Sequence, residues 1–220
     1  MPDPSGSDRL RRAYLDPETA ASYEQDRSRA ASQRLRAWLE RRALAGAFAA
    51  IPRGATILDV ACGTGRLAPF FLTLGASLTG VDVSPAMLAA ARGHGLEHAA
   101  WVAGDAQRLP FASRSFDVVV TTRFLRHLDA SARAPVLREV ARVARRFVVV
   151  ETLLGIGLVW RWKRLTKGSS WTGAVSPKRP TAESFEAELR SCGLRVVSRH
   201  ALIALVSQPH VFVCEKSPVP

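Results

Sequence analysis

The stretch Thr56-Ile57-Leu58-Asp59-Val60-Ala61-Cys62-Gly63-Thr64-Gly65 decides the fold of this chain. Its first half is apolar apart from Asp59, which is typical of a strand buried on both faces of a parallel sheet. Gly63 and Gly65 predict a turn, and Arg66–Leu72 is predicted as the helix that follows. In a strand, glycine turn and helix unit, backbone N–H groups and the helix N-terminus face a ligand. The stretch therefore predicts a ligand-binding site at the carboxyl end of the strand.

Acidic residues accompany the next strands along the chain. Leu78–Asp82 is predicted as a second strand that ends in Asp82, and a third predicted strand ends at Asp105. Phe116–Val120 is predicted as a fourth strand that is apolar except for Asp117. Because strands alternate with predicted helices, the pattern indicates an α/β fold with a parallel sheet and helices on both faces. A carboxylate at the end of the second strand can accept hydrogen bonds from both hydroxyls of a ribose.

The other elements are predicted from capping residues and periodicity. Ser84 and Pro85 are expected to begin a helix as its N-cap and first residue. A fifth strand, Phe147–Glu151, is expected after a loop at Ala144–Arg146. The remaining predictions are a helix over Ser32–Phe48 with Leu35, Trp38, Leu39 and Leu44 on one side, helices over Asp129–Val143 and Thr181–Ser191, and strands over Leu194–Leu205 and His210–Cys214.

This series resembles the class I S-adenosylmethionine-dependent methyltransferases, in the small-molecule branch that includes the quinone-biosynthesis enzymes. The resemblance is close over about residues 55–152. It implies a Rossmann-like, doubly wound, mostly parallel seven-stranded sheet that a C-terminal antiparallel hairpin closes. It also implies an N-terminal helical cap over residues 1–52 and an S-adenosylmethionine-binding domain over residues 53–220. Within that domain, residues 153–180 form an insertion at the position that covers the acceptor pocket in the family.

The resemblance implies S-adenosyl-L-methionine as cofactor, with S-adenosyl-L-homocysteine as product. Asp59 and the glycine turn match the positions that hold the methionyl end, and Asp82 matches the ribose position. Asp105 and Ala106 match the positions that bind the adenine edge. Ala61 stands where the family commonly has glycine, and its small methyl is expected to be tolerated. The full set of implied cofactor-binding residues is Asp59, Ala61, Gly63, Gly65, Asp82, Val83, Met87, Asp105, Ala106 and Tyr23.

Methyl transfer is an in-line displacement that needs alignment, exclusion of water and, for O–H or N–H acceptors, removal of a proton. The candidate bases are His127 and Asp129 after the fourth strand and Glu151 at the end of the fifth. His127 is predicted as the catalytic residue because imidazole titrates near neutral pH. Arg123 and Arg126 are alternatives for binding an acidic group of the acceptor. The three cysteines lack the spacing of metal ligands, so no metal is predicted.

The formal net charge of +12 raises the question of an anionic partner. Most of the positive charge is arginine interleaved with acids, so nucleic acid or an anionic membrane surface is left open but not favoured. Thr152–Pro180 contains no acid, six basic residues and three tryptophans. A substrate lid, an interfacial membrane contact and a stacking surface for nucleic acid all fit that composition, and the lid is favoured.

No apolar run approaches the roughly 20 residues that span a bilayer, and the first twelve residues do not resemble a signal peptide. The cytoplasm is therefore the expected location, and the oligomeric state is left open.

The leading hypothesis is methyl transfer to a small organic or lipid-like acceptor. The charge suggests a nucleic-acid methyltransferase as the alternative, although Thr121–Phe124 does not resemble the Asn/Asp-Pro-Pro-Tyr sequence of such enzymes. Residues 63–68 also satisfy the dinucleotide pattern G-x-G-x-x-G/A, which would suit a nicotinamide-dependent oxidoreductase. Asp59 and Gly104-Asp105 argue against that enzyme class. A non-catalytic nucleotide-binding or regulatory protein remains the last alternative.

Overall fold

The structure is a computed structural model that describes residues 31–96, 98–155, 179–201 and 209–216. Over most of these ranges strands alternate with helices, as the sequence predicts, although two pairs of strands follow each other without an assigned helix between them. The helices are α1 (Ala31–Phe48), α2 (Ala68–Thr73), α3 (Pro85–Gly93), α4 (Ala130–Val143) and α5 (Ala182–Ser191). The strands are β1 (Thr56–Val60), β2 (Ser77–Asp82), β3 (Ala99–Ala103), β4 (Phe116–Thr121), β5 (Ala144–Leu153), β6 (Leu194–Ala201) and β7 (Pro209–Lys216), with a 3₁₀ turn at Leu125–His127 after β4.

The seven strands form one sheet in the order β3-β2-β1-β4-β5-β7-β6. Strands β1 to β5 pair in parallel, whereas β7 is antiparallel to both of its neighbours, β5 and β6. The predicted Rossmann-like fold and its C-terminal antiparallel hairpin are therefore confirmed. The strand order reverses between β1 and β4, and in open α/β sheets ligands bind at such a reversal, beyond the carboxyl ends of the strands.

Side chains alternate between two hydrophobic cores, one on each face of the sheet. Leu58 and Val119 face α4 and α5, whereas Ile57 and Val120 face α1 and α2. These two faces are named the α4–α5 face and the α1–α2 face. Helix α1 contributes Ala43, Leu44, Ala47 and Phe48 to the core of the α1–α2 face.

Helix caps agree with their sequence signals, because the Ser84 hydroxyl accepts a hydrogen bond from the Met87 N–H and Thr181 accepts one from the Ser184 N–H. Trp38 and Leu44 are predicted on one side of helix α1, but Leu44 is fully buried whereas Trp38 is 55% exposed and carries the Arg42 guanidinium 5.6 Å from its ring centroid.

The predicted loop at Ala144–Arg146 is also wrong, because β5 begins at Ala144, directly after α4. Ala144 is fully buried and pairs with Phe116 of β4. At this early start of the strand, the Arg145 guanidinium donates to the Asp117 carboxylate at 2.5 Å. The predicted extension of β6 to Leu205 lies outside the described residues. Among the helices of the described ranges, none is long and apolar enough to cross a membrane.

Candidate functional site

The loop after β1 has the backbone that its glycines predict. Gly63 and Gly65 have φ values of 56° and 71°, in the left-handed region that glycine tolerates. Ala61 has a φ of 57°, which explains why the family commonly has glycine there. An alanine in this region costs about 1–2 kcal/mol, so the expected tolerance of Ala61 comes with backbone strain.

Asp82 connects the loop after β1 to the end of β2. Its Oδ2 accepts the Gly63 N–H at 2.8 Å, and its Oδ1 accepts the Ser84 N–H at 2.9 Å. The Gly104 N–H donates to the Asp82 backbone carbonyl at 3.0 Å, which brings the end of β3 to the same place. Burial raises the pKa of the Asp82 carboxyl, and the bonds from Ser84, Gly63 and Val83 oppose that rise. Asp82 therefore connects three strand ends, two through its carboxylate and the third through its backbone carbonyl.

Asp59 lies on β1 with only 4% of its surface exposed. Burial raises the pKa of its carboxyl to about 7, with the Arg66 charge opposing the rise and the Asp82 charge adding to it. Of the residues predicted to bind the cofactor, Asp59 and Asp82 are thus brought within electrostatic range. A carboxylate that is costly to ionise in the folded protein gains most from a cation placed beside it.

The indole of Trp101, on β3, covers the inner side of the glycine loop. A Cβ added at Gly65 would lie 2.4 Å from Trp101 Cη2, and one added at Gly80 would lie 2.5 Å from Cζ3. A Cβ at Gly63 would meet nothing within 4 Å. Gly65 is therefore required for packing, whereas Gly63 leaves open space through which a ligand can approach the backbone.

Asp105 begins a turn beyond β3, in which its Oδ1 accepts the Gln107 N–H at 3.0 Å and its carbonyl accepts the Arg108 N–H at 2.9 Å. Ala106 follows it with partial exposure. Val83 is also partly exposed, directly after Asp82, but Met87 is only 2% exposed and packs as a core residue of α3. Tyr23, the last predicted cofactor contact, lies outside the described residues.

The candidate bases differ in their surroundings. Asp129 caps α4, accepting the Ala132 N–H at 2.9 Å and the Ser131 hydroxyl at 2.6 Å. These bonds hold the pKa of Asp129 below its usual value, so it is a poor base. His127 lies in the 3₁₀ turn, where desolvation and then the charges of Arg126 and Arg123 lower the pKa of its imidazole. Its catalytic role stays a prediction. The third candidate, Glu151, is almost fully buried on β5.

One contact of the glycine loop could not be predicted from the sequence. Glu40 of α1 is 5% exposed and accepts both terminal nitrogens of Arg66, at 2.8 and 2.7 Å. The two residues are 26 positions apart and belong to no common motif. This bidentate pair fixes α1 against the residue that follows Gly65.

Comparison with known proteins decides the family. Residues 57–146 match the model of a methyltransferase domain. A ubiquinone biosynthesis O-methyltransferase from Hahella chejuensis is 30% identical over 173 residues, which cover 70% of this chain and 71% of the relative. The chain belongs to the class I S-adenosylmethionine-dependent methyltransferases.

Other similarities agree with this family. A demethylmenaquinone methyltransferase from Beutenbergia cavernae is 39% identical over 116 residues, which cover 51% of this chain. The chain spans 47% of that relative, or about half of the relative's length. The fold resembles that of magnesium protoporphyrin IX methyltransferase from Synechocystis, with a TM-score of 0.73, 13% identity and coverage of 97% and 100% of the two chains. That structure was solved with S-adenosylhomocysteine bound.

S-adenosylmethionine is the cofactor of this family, and the described residues suit it. The open side of Gly63 leaves room for a ligand against the loop. Asp82 can use its remaining lone pairs for the two ribose hydroxyls, because a carboxylate has about four acceptor sites. The buried carboxyl of Asp59 can, when ionised, supply a negative charge for the ammonium of the methionyl end.

We expect Asp82→Ala to weaken S-adenosylhomocysteine binding by at least about tenfold, since charge-assisted hydrogen bonds contribute roughly 1.5–3 kcal/mol. The same change leaves two backbone N–H groups without their acceptor, so the free energy of unfolding should also fall by about 1–3 kcal/mol. Titration calorimetry and urea unfolding measure the two effects. Asp82→Asn is the matched control, because its amide oxygen can still accept one of the two N–H groups. Unchanged affinity in Asp82→Ala would show that the ribose lies elsewhere.

Proposed function

We propose that this methyltransferase transfers a methyl group from S-adenosylmethionine to a small organic or lipid-like acceptor. The observation that carries the proposal is the Asp82 carboxylate, which holds the Gly63 and Ser84 N–H groups beside the buried Asp59. Relatives named as quinone-biosynthesis methyltransferases support the small acceptor. When bound, S-adenosylmethionine supplies a methyl group activated by a sulfonium.

The residues of the chain have separate tasks in this proposal. Asp59 holds the ammonium and Asp82 the ribose diol, while the turn at Asp105 and Ala106 binds the adenine edge. Together they fix the cofactor over the ends of β1 to β3, which leaves the ends of β4 and β5 for the acceptor. Orientation of this kind removes most of the entropic barrier to an in-line displacement.

The division into a cap over residues 1–52 and a domain over 53–220 also remains a proposal. Residues 31–48 form α1, whose buried side chains belong to the core of the α1–α2 face. The basic insertion, proposed as a lid over the acceptor, lies almost wholly outside the described residues. A cytoplasmic location is likewise proposed.

Calorimetry tests the cofactor first. The purified protein should bind S-adenosylmethionine or S-adenosylhomocysteine with a Kd of micromolar or below, about −8 kcal/mol. Binding of NADH without a response to either sulfur nucleoside would refute the proposal. A screen with methyl-labelled cofactor over phenols, quinols, amines and RNA then identifies the acceptor class. Transfer to RNA alone would favour the nucleic-acid alternative.

A further inference from the structure

Glu151 lies on the acceptor half of the sheet edge. Through the register of the sheet, Asp59 pairs with Val120 of β4 and Val120 with Val149 of β5. Glu151 is two residues beyond Val149, so its side chain lies on the same face as Asp59 and one pleat nearer the carboxyl edge. The cofactor residues occupy the ends of β1 to β3, and Glu151 stands two strands away from β1 on the other side of the crevice.

The carboxylate of Glu151 has one engaged oxygen and one without a hydrogen-bond partner. Its Oε1 accepts from Arg126 Nη2, whereas Oε2 is buried and accepts no hydrogen bond in the described part of the chain. The residue is only 2% exposed. An unsatisfied buried oxygen destabilises the folded protein, and more so when it is charged. A hydrogen-bond donor placed at Oε2 would remove that cost.

Three other Arg–Glu pairs among the described residues engage both oxygens of the carboxylate. Glu40 engages Arg66 through both oxygens, Glu188 does the same with Arg133, and Glu139 with Arg142. These three pairs are bidentate, as purely structural Arg–carboxylate pairs commonly are. Glu151 is more buried than the acids of these three pairs, yet it gives only one oxygen to its arginine.

The charged side chains that act on Glu151 come from three parts of the chain. Arg126 and Arg123 belong to the segment after β4, Arg66 follows the glycine loop, and Glu40 belongs to α1. Burial raises the pKa of Glu151, while the contact with Arg126 opposes that rise. The contact with the Arg126 guanidinium favours the ionised form of Glu151, and an ionised carboxylate can only accept hydrogen bonds. A ligand group that binds this form at Oε2 must therefore be a donor.

Two buried hydroxyls near the same edge, those of Thr121 and Thr152, also lack partners within the described ranges. They do not form one cluster with Glu151. Thr121 pairs with Val150, and Thr152 is two residues beyond Val150, so both hydroxyls lie on the α4–α5 face. Of these three oxygens, that of Glu151 lies on the same face of the sheet as the proposed cofactor residue Asp59.

We propose that Glu151 Oε2 binds a hydroxyl or amino group of the methyl acceptor, while Arg126 fixes the other oxygen. The inference rests on the proposed function and adds to it a substrate class, namely acceptors that carry a hydrogen-bond donor. Glu151 thereby selects the acceptor and orients it toward the ends of β1 and β4.

Three matched ring compounds test this proposal by binding, without relying on turnover. Catechol has two hydroxyls, 2-methoxyphenol has one and 1,2-dimethoxybenzene has none. Each is titrated into the protein saturated with S-adenosylhomocysteine. The wild type should bind catechol at least about tenfold more tightly than 1,2-dimethoxybenzene, a difference of about 1.4 kcal/mol. 2-Methoxyphenol should lie between them.

Glu151→Gln is the informative variant. Arg126 donates to the amide oxygen, which leaves an NH₂ group at the position of Oε2 and turns an acceptor into a donor. The preference for catechol should therefore disappear or reverse, a result that a merely structural role does not predict. S-adenosylhomocysteine affinity should stay within about threefold, since interactions at separate sites usually add independently. Glu188→Gln, which alters another Arg–Glu pair, should keep the wild-type preference.

Two results would overturn the inference, namely a wild type without preference for catechol, or a Glu151→Gln variant that retains it. Failure of the wild type to bind S-adenosylhomocysteine would instead contradict the proposed function, so the two failures are distinguishable.

Discussion

Replacing Gly65 by alanine should destabilise the fold by about 2–5 kcal/mol, because two separate costs add. The first is backbone strain of about 1–2 kcal/mol, since φ is 71° at this position. The second is overlap, as the new Cβ would lie 2.4 Å from Trp101 Cη2. The indole has no room to retreat toward β2, because Gly80 is packed against the same ring. The displaced loop should also lose cofactor affinity.

Urea unfolding of matched variants separates the two costs. Gly54 has a φ of 75°, and a Cβ added there would meet nothing within 4 Å. Gly54→Ala should therefore show only the strain of about 1–2 kcal/mol. The double variant Gly65→Ala/Trp101→Leu should recover part of the loss relative to the sum of the two single changes. Equal destabilisation by Gly65→Ala and Gly54→Ala would show that the indole does not restrict the loop.

Replacing Asp59 by asparagine should produce effects of opposite sign on stability and binding. The pKa of Asp59 rises from 3.8 to about 7 on folding, so its ionisation opposes folding. That cost is absent below pH about 4, grows up to pH about 7 and is constant above it, reaching at most about 4 kcal/mol. Asp59→Asn removes it and should stabilise the unliganded protein by about 2–4 kcal/mol at pH 8. The gain should be smaller by about 2 kcal/mol at pH 5.

The same variant should bind S-adenosylmethionine at least about tenfold more weakly, because the ammonium loses its carboxylate. Wild-type affinity should correspondingly increase between pH 6 and pH 8, as Asp59 ionises. Asp117→Asn is the control at the opposite edge of the sheet. Its carboxylate accepts the Thr56 N–H at 2.9 Å, and that bond chiefly lowers its pKa. It should lose stability without losing affinity. A destabilised Asp59→Asn protein would contradict the assignment.

The sequence was sufficient to predict the strands whose ends carry the proposed cofactor residues. Asp59, Asp82 and the glycines lie within local patterns, and a parallel sheet brings the carboxyl ends of its strands together. The left-handed backbone at Ala61 was not predictable, because alanine gives no signal for a positive φ. The available signal for a left-handed backbone at Ala61 was that the family commonly has glycine at this position.

The acceptor side was predicted less well, since its contacts join distant segments. Glu40 meets Arg66 across 26 residues, and Glu151 meets Arg126 across 25. Charge alone does not reveal such partners in a chain with 31 basic residues. Glu151 could be named as a candidate base, but its unused oxygen depends on how the folded chain places Arg126. The contact at the start of β5 is of the same kind, because Arg145 pairs with Asp117, 28 residues away.

The position of β7 has a consequence for how the chain is made. Residues 209–216 are synthesised after every other described strand, yet they lie between β5 and β6 and pair with both. Until they leave the ribosome, the edge of β5 with Val148–Val150 has no neighbour on that side. Unpaired apolar edges recruit other chains. The nascent protein is therefore most exposed to aggregation just before its sheet is completed, when a chaperone would be most useful.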